Sequence, residues 1–171
     1  GTNVWVGYTE TTQNADLVLR GNYVVGGSPA LRLRRWSQVS ASENTIVGRA
    51  EILNLLGSRA GYDWSGNRYY REPGGAGATA WTVDNAAGTF AQWQSRSGIG
   101  GSDLAATDPG DVRVFVRPNR YEHGRANVTI YNWIGAGSVA DDLRSILSPG
   151  QRYQVGNVQD FFGVPVVGAY S

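Results

Sequence analysis

Asn44-Thr45-Ile46-Val47-Gly48 decides the reading of this chain. The same order of Asn, any residue, apolar, Val, Gly stands at Asn22-Tyr23-Val24-Val25-Gly26 and at Asn3-Val4-Trp5-Val6-Gly7. Asn67-Arg68-Tyr69-Tyr70 is a weaker fourth copy, and the spacings are 19, 22 and 23 residues. Working outward, Leu17, Val39 and Tyr62 stand five residues before the last three asparagines, and Leu19, Ala41 and Trp64 three before. Leu31 and Leu33 follow Asn22 at offsets that Leu53 and Leu55 repeat after Asn44. Each pair alternates at period two, the pattern of a strand with one buried face.

A repeat of about 22 residues, holding three short strands separated by Gly and Asn turns, fits the coils of a parallel β-helix. One coil cannot bury its own inner face, so coils stack about 4.8 Å apart and equivalent side chains form ladders. Asn3, Asn22, Asn44 and Asn67 are expected to form such a ladder at the coil corner, each amide satisfied by its neighbours in series. A leucine-rich repeat has a similar period but needs a Leu cassette that is absent here.

The chain has 171 residues, enough for one domain with a small appendage. Its 15 basic residues, all Arg, and 14 acidic ones leave a net charge of +1, which removes the electrostatic footprint of a nucleic-acid binder. No apolar run approaches the roughly 20 residues of a membrane span. The absence of Cys excludes a disulfide framework and a thiolate metal site, and the absence of Lys excludes Schiff-base chemistry. With no Met, and Gly1 almost directly on a repeat motif, the sequence reads as a piece of something longer. The expected partner at that N-terminal open end is a set of upstream coils, or else a neighbouring subunit.

The segments Asn22 to Gly26, Asn44 to Gly48, Tyr62 to Tyr70 and Gly88 to Gln94 resemble the last coils of secreted bacterial right-handed parallel β-helix proteins with a pectate-lyase-like fold. Phe115 to Trp133, Leu147 to Tyr153 and Asp160 to Val166 resemble the small β-rich tail that follows such a helix. The resemblance implies an all-β chain, with β-helix coils over 1–95 and an antiparallel β-rich capping module over 96–171. It further implies an extracellular or cell-surface protein acting on or adhering to polysaccharide, from a superfamily that includes polysaccharide lyases, glycoside hydrolases and epimerases.

In the second half, residues 71–80 read as a loop with a turn at Pro73-Gly74-Gly75, and Trp81 to Phe90 as a hairpin or irregular last coil. Val112 to Arg117 and Ala126 to Tyr131 read as an antiparallel pair. Ser138 to Leu147 reads as a short helical turn capped by Ser138, with closing strands at Arg152 to Val155 and Val164 to Val167. Trp93 is expected at the junction of helix and tail.

The search for chemistry yields no catalytic constellation, metal site or cofactor site. Asp141 and Asp142 are adjacent but read as helix-start acids. His123 is the sole imidazole, beside Glu122 in a loop. Aromatic rings and guanidinium forks are the better lead, since sugars stack apolar faces on rings and offer hydroxyls or carboxylates to polar groups. Trp5, Trp64 and Tyr69 read as inward. Arg32, Arg34, Trp36, Tyr23 and Tyr70 read as outward or corner residues lining a shallow carbohydrate-binding groove. The leading expectation is therefore a structural, polysaccharide- or glycan-contacting portion without catalysis of its own. The alternatives are a small lyase or hydrolase using Arg32, Arg34 and His123, and a self-assembling surface or filament subunit.

Overall fold

The computed structural model describes residues 1–75 and 79–171, which fall into two compact units, Gly1–Pro109 and Gly110–Ser171. The first unit runs past residue 95 because a helix and one further strand join it. The chain is mostly β, and among the described residues no helix is long and apolar enough to cross a membrane.

In the first unit the chain makes repeated circuits. The first holds β1 (Val4–Val6), β2 (Asn14–Arg20) and β3 (Tyr23–Val25), and the second β4 (Leu31–Arg34), β5 (Trp36–Ser42) and β6 (Thr45–Gly48). The third holds β7 (Leu53–Leu56), β8 (Tyr62–Ser65) and β9 (Arg68–Arg71). Equivalent strands pair in parallel: β1-β4-β7 with β10 (Trp81–Val83), β2-β5-β8, and β3-β6-β9 with β12 (Leu104–Ala106). Register explains the alternation in the sequence. Val4, Leu31, Leu53 and Trp81 stack in one row and Val6, Leu33, Leu55 and Val83 in the next. Residues from all three sheets join one core that includes Leu33, Val39, Ile46, Leu55, Trp64 and Tyr69. The expected turn after strand β9 is present, with the Gly75 amide donating to Glu72 O at 2.8 Å. Residues 76–78 of that loop lie outside the described residues.

The unit closes with the hairpin, one of the two expected alternatives, and then with a helix that the sequence reading does not anticipate. Strand β10 forms an antiparallel hairpin with β11 (Ala86–Gly88), and α1 (Phe90–Ser97) follows. The sequence dictates this helix locally. Thr89 Oγ1 accepts from the Gln92 amide at 3.3 Å while Gln92 Oε1 accepts from the Thr89 amide at 2.9 Å, a capping box. Gly98, at φ +72°, ends the helix in the left-handed conformation that lacks a Cβ penalty there. Trp93 is fully buried within this unit, stacked on Phe90, tilted against Trp64 and edge-on to Tyr69.

The second unit contains two antiparallel pairs. Strand β13 (Val112–Pro118) pairs with β14 (Ala126–Asn132), and β15 (Arg152–Val155) with β16 (Val166–Ala169). The helical turn is shorter than expected, a single i to i+4 bond from the Leu147 amide to Leu143 O. Asp142, not Ser138, satisfies its start: Oδ1 accepts from the Arg144 amide at 3.0 Å, and the carboxylate grips the Arg144 side chain. These bonds hold the Asp142 carboxyl below its ordinary range, with the Arg144 side chain the largest influence.

Candidate functional site

The corner ladder is continuous over three asparagines and ends on an acid. The backbone amide and Nδ2 of Asn22 both donate to Asn44 Oδ1, at 3.0 and 2.9 Å. Those of Asn44 donate to Asn67 Oδ1 at the same two distances. The Asn67 amide donates to Asp103 Oδ1 at 2.9 Å. The Asp103 carboxylate also accepts from Trp64 Nε1 at 2.9 Å and from the Tyr69 hydroxyl at 2.7 Å. Burial foremost, and then the Asp103 charge, push the Tyr69 hydroxyl well above its ordinary pKa.

Asn3 does not belong to this ladder. Its strand pairs with Leu31–Leu33, so Asn3 lies in a different sheet from Asn22, and its Nδ2 donates to Val25 O at 2.7 Å. The same register overturns the inward placement of Trp5. Val4 and Val6 stack on the buried Leu31 and Leu33, which leaves Trp5 beside Arg32 on the outer face and 40 % exposed.

This outer face brings two exposed aromatic rings, Trp5 and Tyr8, together with two half-buried arginines. The Arg32 guanidinium carbon lies 5.0 Å from the Trp5 ring centroid, a cation–π arrangement. The Tyr8 ring, 77 % exposed, sits 4.9 Å from that of Trp5 at 47°. Arg34, two residues along β4 on the same face, is ion-paired with Glu10 from the loop that carries Tyr8. That loop is held close to β4 at both ends. A Cβ on Gly7 would stand 1.9 Å from Arg34 O, and Gly7 has φ +81°, so only glycine fits. At the other end Asn14 Nδ2 donates to Arg35 O at 3.1 Å.

Of the groove expected from the sequence, Arg32 and Arg34 share this face and the others do not. Trp36 packs against the core, with Nε1 buried. Tyr23 and Tyr70 lie on strands β3 and β9 of another sheet, separated by β6. Sequence reasoning missed Tyr8 and Glu10, which belong to no repeat, and misplaced Trp5 by trusting the motif at Asn3.

The site can stack a ring on Tyr8 and present guanidinium donors beside it. Its carboxylate from the Tyr8 loop, Glu10, is engaged by Arg34. Among the described residues no group of three or more His, Cys, Asp or Glu could hold a metal ion. His123 lies in the second unit, in a loop bordering an open cavity of about 900 Å³ with Val128, Leu147, Tyr153 and Phe161. Compared with protein-family models, curated proteins and solved structures, the chain gives no match in any of the three.

Proposed function

We propose that Gly1–Pro109 is a run of right-handed parallel β-helix coils of the pectate-lyase-like kind, and that it serves as a polysaccharide-contacting part of an extracellular protein. On this reading the portion binds and does not catalyse. One observation carries it: Tyr8 stands exposed against Trp5 while the Arg32 guanidinium covers that same indole. An aromatic platform beside a guanidinium suits a pyranose ring carrying hydroxyls or a carboxylate. Parallel pairing at steps of 22 and 23 residues, with a shared core among three sheets, supports the β-helix reading.

The test is retardation in affinity gels cast with uronate-rich and neutral polysaccharides, alongside a product assay. Binding to at least one polymer is expected, weakened about fivefold by Tyr8→Ala, the scale of roughly 1 kcal/mol for one aromatic contact. Binding untouched by Tyr8→Ala and Trp5→Ala, or no binding across the panel, overturns the proposed surface. Turnover abolished by Arg34→Ala would instead establish the lyase reading.

A further inference from the structure

Among the described residues, the three sheets end on one side in β1, β2 and β3, each paired with a neighbouring strand along one edge. The inner residues of this first circuit are correspondingly unfinished. Val4, Val6, Leu17, Leu19 and Val24 are only partly buried, whereas their register partners Leu31, Leu33, Val39, Ala41 and Ile46 are at most 2 % exposed. A backbone edge and an apolar cross-section therefore stand open together.

The corner ladder specifies what fits there, because it has a direction. Each rung receives two donors on its Oδ1, a backbone amide and an Nδ2, from the rung one circuit earlier. Each inner asparagine also reaches back with Nδ2 to a carbonyl of the circuit before: Asn44 to Leu19 O at 2.9 Å, Asn67 to Ala41 O at 3.1 Å. Asn22 is exposed and, among the described residues, nothing donates to its Oδ1. It offers one acceptor that takes two donors, and one amide proton that seeks a carbonyl.

We infer that the β1-β2-β3 edge docks a parallel coil of this same repeat, whose corner asparagine donates its backbone amide and Nδ2 to Asn22 Oδ1. A second copy of the chain does not supply that coil. Its far end is closed by the antiparallel hairpin, by helix α1 and by Asp103, an acceptor without a donor. Its near end brings another Asn22, whose backbone amide is already given to Asn44. The inference is independent of sugar binding and stands if the Tyr8 surface fails.

The experiment places a copy of residues 31–50 ahead of Gly1 in the full chain and follows amide hydrogen exchange. Exchange at Trp5, Val18 and Val25, whose amides alternate with ones already given to the next circuit, is expected to slow at least about tenfold, since edge amides become ladder amides. Asn44→Asp in the added copy, which removes the Nδ2 donor, is expected to undo much of the slowing at Val25. No slowing while the Leu33 and Ile46 amides stay protected overturns the inference, as does slowing indifferent to the Asn44→Asp change. An unmodified chain that is dimeric in light scattering, with edge amides already slow, also overturns it. Should the extended chain fail to fold, residues 31–52 are titrated as a free peptide against the unmodified protein, with the same two readouts.

Discussion

Asp103 Oδ1 lies 2.9 Å from the backbone nitrogen of Asn67, the place that an asparagine oxygen occupies at each earlier rung. A carboxylate at the end of a ladder accepts on both oxygens, so it also satisfies two buried donors that an amide oxygen alone would leave short. Replacing it leaves the Asn67 amide, Trp64 Nε1 and the Tyr69 hydroxyl without their acceptor inside the core. Asp103→Ala is expected to destabilise the first unit by about 3 kcal/mol, and Asp103→Asn by about 1 kcal/mol. Urea unfolding followed by tryptophan fluorescence measures both.

Tyr69 gives the fold an alkaline limit. Its pKa is raised, first by burial and then by Asp103, so the fold favours the protonated hydroxyl. That preference contributes fully below the ordinary tyrosine value of 10.0, and it is lost as pH rises from there through the folded value. Tyr62, raised mainly by burial, acts with the same sign. Midpoints of thermal unfolding are expected to hold from pH 8 to 10 and fall above it. Tyr69→Phe is expected to flatten that fall by up to about 1.4 kcal/mol per pH unit, one proton's worth.

Gly7 links backbone geometry to the proposed surface. Gly7→Ala forces a Cβ toward Arg34 O and an unfavourable positive φ, which displaces the loop bearing Tyr8. The near-ultraviolet dichroism of the Trp5–Tyr8 pair is expected to change, with polysaccharide binding reduced as in Tyr8→Ala. Gly21→Ala carries a positive φ but meets nothing within 4 Å, and is expected to leave both readouts unchanged.

Helix α1 closes one end of the core through Trp93. Thr89→Ala removes half of the capping box and is expected to cost about 1 kcal/mol. Trp93→Ala opens a cavity among Trp64, Tyr69 and Phe90 and is expected to cost about 3–5 kcal/mol. Denaturant midpoints of the two variants, compared at equal slope, check the order.

In the second unit Asp142 ties the Leu143–Leu147 turn to the chain's last strand region, because the Tyr170 hydroxyl donates to it at 3.1 Å. Its lowered pKa contributes above the ordinary value of 3.8, and that contribution is lost as pH falls through the folded value. Protection of the Gly150 and Tyr170 amides, measured against their intrinsic exchange rates at each pH, is expected to fall in acid. Arg144→Gln is expected to move that onset to higher pH.

The rungs at Asn22, Asn44 and Asn67 and the strands around them were legible, because fixed spacing and period-two alternation reflect stacking directly. Asn3 was not, since a five-residue motif match outweighed the longer step from Val4 to Leu31 that pairing requires. Trp5 went astray with it. Asp103 was hidden twice, by a change of residue type and by the hairpin and helix placed before it. The helix itself was written in Thr89, Gln92 and Gly98, a signal outweighed by the expectation of another coil. Tyr8 and Glu10 sit in a loop whose course depends on tertiary contacts, which no periodicity encodes.

Successive rungs are 22 and 23 residues apart until the last, where 36 residues separate Asn67 from Asp103. The added entropy of closing that longer loop is only about 0.4 kcal/mol, less than one ordinary net hydrogen bond. Corner chemistry therefore sets the register while the length between corners stays free. The stretch between β10 and β12 already carries strand β11 and helix α1 as a segment inserted between two corners, with the rungs on either side undisturbed.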